Sequence, residues 1–205
     1  MADPEEDKAD LEPDDGMPPP DRHIPIPDEH YAAMGKVADA WADLEFEIDS
    51  LIWQFLHTPQ ALGACVTAQM VSIHPRMNAL LALASLWEVS PDLITELKRF
   101  YGNLGPLADK RNRLIHDKRM IQWKTKSVVR LEISAKSKLR FEPFPEDIDY
   151  LMTFARDVTE THLRFITIRD GILRELDSSR DKLRGPFPHI TRTQAQKPTP
   201  PIDKL

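Results

Sequence analysis

Beyond residue 31 the apolar side chains fall at Met34, Val37, Trp41, Leu44, Ile48, Leu51, Ile52 and Phe55. Steps of three and four over about seven turns predict a long amphipathic helix with one buried face. The acids Asp39, Asp43, Glu45, Glu47 and Asp49 fill the other positions. Glu45 and Asp49 stand one turn apart, a spacing that metal sites use. No histidine or further acid stands at matching spacing, so they read as a solvated face and no metal is expected. Thr58-Pro59 should end the helix, because proline disfavours helix for the residue before it. A second helical region follows, short from Ala61 and clearer from His74-Pro75 to Trp87. Its stretch "MNALLALASLW" is apolar almost all round, which predicts a place in the middle of a bundle. His74, before Pro75, reads as a cap or a surface residue. Ser90-Pro91-Asp92 then gives an N-cap with proline in the first turn. The third main helix carries Leu93, Leu97, Phe100, Leu104, Leu107, Ala108, Arg111 and Ile115 on one stripe, and Gly105-Pro106 should bend it.

After Lys118 the period changes from helical to alternating. Val129, Leu131 and Ile133 fall on one face and Arg130 and Glu132 on the other; Leu139 and Phe141 repeat the pattern after "AKSK". That predicts a β-hairpin or small meander over about 119–142, closed by Pro143 and Pro145. Helical spacing returns from Glu146 through Ile148, Leu151, Met152, Ala155, Val158, His162, Phe165, Ile166, Ile172, Leu173 and Leu176. The fold expected is all-α: a bundle of four to five helices with a β-hairpin insertion between the third and fourth main helices. The folded domain should span about 28–180. Residues 1–27 hold seven prolines and residues 186–201 five more, with no apolar run in the opening stretch. Both ends, 1–27 and 181–205, read as disordered tails that bury too little to offset the entropy of ordering.

Charge changes this picture more than composition does. The 205 residues sum to −6, which alone would argue against a polyanionic partner. The first fifteen residues hold eight acids and one lysine, whereas 98–140 hold thirteen Lys or Arg against Asp109, Asp117 and Glu132. Local field steers a phosphate backbone, so a strongly basic middle segment keeps RNA open as a partner. The acidic head reads as a solubilising tail or as a cover for the basic segment. The single cysteine, Cys65, lies among small apolar neighbours and is expected to be a buried thiol. With no internal disulfide, no secretory signal pattern and no membrane-length apolar stretch, the expected compartment is the cytoplasm.

The chemistry concentrates in "ADKRNRLIHDKRM", residues 108–120. Arg111 follows Leu104 by seven residues and so returns to within roughly 20° of it on the buried stripe. Burying a guanidinium requires compensation. Asn112 and His116, four apart, share a helix face, so the amide can orient the imidazole. His116 also falls at the carbonyl end of the helix, which favours imidazolium. Two readings stay open. Arg111 is tied to a core carboxylate with His116 as a C-terminal cap, or the pair is equipment for phosphodiester cleavage.

"RNRLIH" resembles the R-x4-6-H signature of HEPN domains, in which a polar residue, often asparagine, follows the arginine. A helical bundle with the motif near the end of its third long helix is similar to that family too. The resemblance implies a metal-independent ribonuclease site at a symmetric dimer interface, with no cofactor. Arg111 and His116 would be catalytic and Asn112 their polar partner. Lys110, Arg113, Lys118, Arg119, Lys124 and Lys126 become candidate substrate-binding residues. Trp123 and Phe141 are candidates for stacking bases, although aromatics in a strand also pack inward. The lysines of the hairpin, with Lys136, Lys138 and Arg140, either bind RNA or keep β edges soluble. The family also includes inactive members, so a non-catalytic module binding a nucleotide, RNA or protein, and a structural dimer, remain alternatives; Trp41, Trp53 and Trp87 on apolar faces suit either. Within a toxin–antitoxin or defence system the partner would be an antitoxin or other protein. The basic β insertion directly after His116 departs from the short connection usual in the family.

Overall fold

The computed structural model describes residues 24–122, 124–134 and 140–179. The expectations for the two tails before 24 and after 179, for Trp123, and for Lys136, Lys138 and Leu139 lie outside the described residues, as do the side chains of Arg140 and Phe141.

Among the described residues five helices and three strands follow in the order α1 (Asp28–Phe55), α2 (Gln60–Thr67), α3 (Ile73–Leu86), α4 (Pro91–His116), β1 (Arg119–Ile121), β2 (Val128–Ser134), β3 (Arg140–Pro145) and α5 (Ile148–Ser179). The chain is therefore mostly helical, with a small antiparallel sheet between α4 and α5. Val37, Trp41, Leu44, Ile48, Leu51 and Ile52 of α1 are buried, so the stripe read from the sequence is the core stripe. His30 meets Glu146 near the start of α1 and α5, and Arg169 of α5 bonds Glu47 further along both, so these helices run parallel. Phe100 stacks on Phe165 at 5.2 Å and Leu93 lies against Gly171, which makes α4 antiparallel to α5. A Cβ at Gly171 would come within 2.9 Å of a Leu93 methyl, so a larger residue there would make that side chain shift.

Several expectations change in detail. The Gly105-Pro106 pair, where a bend is expected, does not end α4, which continues to His116. In α3 only Ile73, Met77, Leu80 and Ala84 are fully buried, while Ala82 and Leu86 are exposed. It flanks the bundle rather than filling its middle, because α1 and α4 cover one of its faces and nothing described covers the other. Glu45 and Asp49 are not a solvated face: Arg76 of α3 lies 3.5 Å from Glu45 and donates to Asp49 at 2.8 Å. Burial nevertheless pushes the Asp49 carboxyl above its ordinary range, with the Arg76 charge opposing. Trp53 is buried under Gly63 of α2 and donates to Thr67 Oγ1 at 3.2 Å; its neighbour α2 turns Cys65 outward, so that thiol is exposed, not buried.

The insertion has three strands in the order β1-β2-β3 and extends to Pro145, past the expected end. Simple alternation fails on β2. Val129 and Leu131 are buried as expected, but Ile133 of that face is 55% exposed, while Arg130 on the other face is 3% exposed. The reason lies at Glu146, itself only 1% exposed, where β3 turns into α5. Its Oε1 accepts from Arg119 Nε at 2.5 Å and from His30 Nε2 at 3.1 Å, and its Oε2 accepts from Arg130 Nη1 at 2.8 Å. One carboxylate thus joins α1, β1, β2 and the start of α5.

Removing this charge would leave the Arg119 guanidinium without a carboxylate and Arg130 with Glu132 as its one hydrogen-bonded acid, which typically destabilises by about 3–5 kcal/mol. Glu146→Gln should lower the urea midpoint by a corresponding amount; a midpoint unchanged from the wild type would show that the cluster does not hold the sheet to the bundle.

Candidate functional site

The α4 end is set by the same cluster. Arg119 reaches back across the turn, and its Nη2 donates to the Leu114 carbonyl at 2.5 Å and its Nη1 to the Asp117 carbonyl at 3.3 Å. A cation on the last free carbonyls satisfies them and complements the negative end of the helix dipole. His116, two residues beyond Leu114, is the last helical residue and is exposed, and its ring makes no hydrogen bond among the described residues. It lines an open groove of about 360 Å³ with Asp109, Asn112, Arg113, Asp117 and Ile133. The cap of α4 is Asp117, whose backbone N–H donates to the Arg113 carbonyl at 2.9 Å.

Arg111 sits elsewhere on the helix, half-buried, with its guanidinium carbon 5.9 Å from the ring centre of Trp41 in α1. Its Nη1 donates to Asn112 Oδ1 at 3.2 Å, and its Nε is shut away from water without an acceptor. No carboxylate pairs with it among the described residues, so the reading that tied Arg111 to a core acid does not describe this site. Asn112 is bonded to Arg111 rather than to His116, yet it also lines the His116 groove. The amide connects two groups that otherwise occupy separate surroundings.

The other sequence-derived candidates divide sharply. Arg119, expected to contact substrate, is engaged through all three of its nitrogens by Glu146 and the two carbonyls. Arg113 borders the groove but its Nη1 lies 3.5 Å from Glu132 and 3.7 Å from Asp117. Lys110, Lys118, Lys124 and Lys126 are exposed, Lys126 in a turn with φ of 57°. Arg130 is internal: burial works against its charge, but the hydrogen bond to Glu132 and the charge of Glu146 outweigh this and hold it protonated. Sequence reasoning missed Glu146 and His30, since both lie outside the basic window, and did not place Trp41 against Arg111. Comparison with family models, with curated proteins and with solved structures found no match. Among the described residues no helix is long and apolar enough to cross a membrane, and no group of three or more His, Cys, Asp or Glu is placed to hold a metal.

The two arginines should respond oppositely to loss of charge. Arg111→Met, which keeps an apolar stem over Trp41 and removes an uncompensated cation, should raise stability by about 1 kcal/mol. Arg119→Met should lower it by about 3 kcal/mol or more. Urea unfolding of both variants checks this, and equal losses would contradict the distinction.

Proposed function

We propose that the chain is a HEPN-like, metal-independent endoribonuclease whose site is completed by a second copy. The single observation that carries the reading is the state of Arg111. Among the described residues the other arginines that are not fully exposed, Arg76, Arg113, Arg119, Arg130 and Arg169, all pair with carboxylates. Arg111 does not, although it is half-buried and its orientation is fixed on two sides. A retained, oriented and uncompensated guanidinium calls for an anion from outside the chain, and a phosphate matches its planar donor edge.

In this mechanism Arg111 neutralises the scissile phosphate and stabilises the charge of the pentacovalent transition state. The ribose 2′-oxygen attacks phosphorus, the P–O5′ bond breaks, and the products are a 2′,3′-cyclic phosphate and a 5′-hydroxyl. His116 of one copy takes the 2′-OH proton and its counterpart in the second copy protonates the leaving 5′-oxygen. The pairing of copies is supported by Ile133, which lines the groove and stands exposed; Ile115, the residue before His116, is exposed as well. Lys110, Lys118, Lys124 and Lys126 are the exposed cations offered to the flanking RNA backbone.

A second reading has a specific observation in its favour. Within one chain Arg111 does not line the groove that holds His116, and Asp109 and Asp117 do. A non-catalytic module that binds RNA, a nucleotide or a protein such as an antitoxin would need no convergence of the two groups.

Purified protein in EDTA should cut single-stranded RNA but not DNA of the same sequence, and His116→Ala should fold normally while losing cleavage by at least about a hundredfold. Cleavage that survives in that variant removes His116 from the reaction, and RNA binding without turnover favours the second reading. Replacing Lys124 and Lys126 together by Gln should flatten the dependence of log affinity on log salt by about 1.4. An unchanged slope would assign those lysines to solubility alone.

A further inference from the structure

We propose that Trp41 is the positioning residue of this site: its ring holds Arg111 so that the guanidinium presents one donor edge outward and sets the amide of Asn112. The proposal rests on the reading of Arg111 as an oxyanion ligand and adds a residue that the sequence pattern gave no role toward Arg111. Trp41 is 2% exposed, so it touches no ligand itself. It belongs to α1, whereas Arg111 and Asn112 belong to α4. The indole face offers the negative side of its quadrupole to the cation in place of a carboxylate.

The difference between these two partners decides what the guanidinium can do. A carboxylate would take two N–H donors and cancel the charge. An aromatic face takes none of the donors along their bond directions and leaves the charge intact. In this site Nε is shut in, one N–H of Nη1 goes to Asn112 Oδ1, and Nη2 has no partner among the described residues. Because Asn112 Oδ1 accepts from Arg111, its Nδ2 remains the donor of a residue that lines the His116 groove. Arg111 Nη2 and Asn112 Nδ2 together offer hydrogen bonds to a tetrahedral oxyanion, the class to which a phosphate diester belongs. A lysine at 111 would supply the charge but neither the flat face over the indole nor the bond that orients the amide.

The test is a titration of the full chain with inorganic phosphate, followed through the Arg111 side-chain Nε–H and Asn112 side-chain amide signals by NMR. In the wild type both should move saturably. Trp41→Phe, which keeps a ring, should bind within about threefold of wild type, and Trp41→Leu should lose about tenfold. Arg111→Lys, a variant that does not disturb the core, should lose about tenfold when followed through Asn112. Phosphate that leaves both signals unmoved in the wild type, or binds Trp41→Leu or Arg111→Lys as tightly as wild type, overturns the proposal. Failure of the nuclease reading is separable. Trp41-dependent phosphate binding in a protein that leaves RNA intact keeps the positioning role and removes the enzyme. RNA cleavage with wild-type kcat in Trp41→Leu keeps the enzyme and removes the positioning role.

Discussion

The buried Glu146 carboxylate is the interaction on which the arrangement of this domain depends. Three cationic or protonatable side chains, His30, Arg119 and Arg130, converge on its two oxygens from three different elements. Taking such charges out of water is unfavourable unless each finds hydrogen bonds. Here Arg119 completes its set on the last turn of α4; Arg130 adds a bond to Glu132, while its buried Nε lies 3.8 Å from Asp117 Oδ2 without a hydrogen bond. The cluster therefore does more than join sheet to bundle. It fixes the chain direction immediately after His116 and so the angle at which the end of the motif helix meets β2.

Arg111 stands apart from this network through the kind of partner it has. Inside the fold, arginines meet acids; at Trp41 an arginine meets an aromatic face and one amide. The half-buried charge is stabilised without being cancelled, a condition that lowers the stability of the free protein and suits a site awaiting an anion. The groove beside it has a mixed character, with Asp109 and Asp117 among its walls. A polyanion approaching His116 meets these acids, so the exposed lysines of α4 and the β1–β2 turn would have to guide it.

The helical part of the fold was legible because burial on one face leaves a period in the sequence. α1 follows that period closely; α4 departs from it at its end, where Leu114 is buried and Ile115 exposed, and α5 at Met152, which is exposed while Phe154 is buried. Pro59 and Pro91 mark boundaries by their missing N–H and fixed φ. What misled was local reading of charge. The segment 98–140 looks like a basic surface because its main counter-ion, Glu146, stands six residues past its end and is reached only when β3 folds back. The same long-range pairing buries Arg130 and breaks the alternation expected on β2. The motif was visible as Arg111, Asn112 and His116, but the Trp41 partner was not. Spacing along a helix gives the face of a side chain and says nothing about which residue of another helix lies opposite it.

The chemistry of the RNA ends tests the assignment of Arg111 and His116 most directly. Fragments released by the wild-type protein in EDTA should carry 2′,3′-cyclic phosphates and 5′-hydroxyls, read by mass spectrometry. Fragments ending in 5′-phosphates would require water rather than the 2′-oxygen as the attacking group, and would contradict transfer of the 2′-OH proton to His116 beside a phosphate held by Arg111.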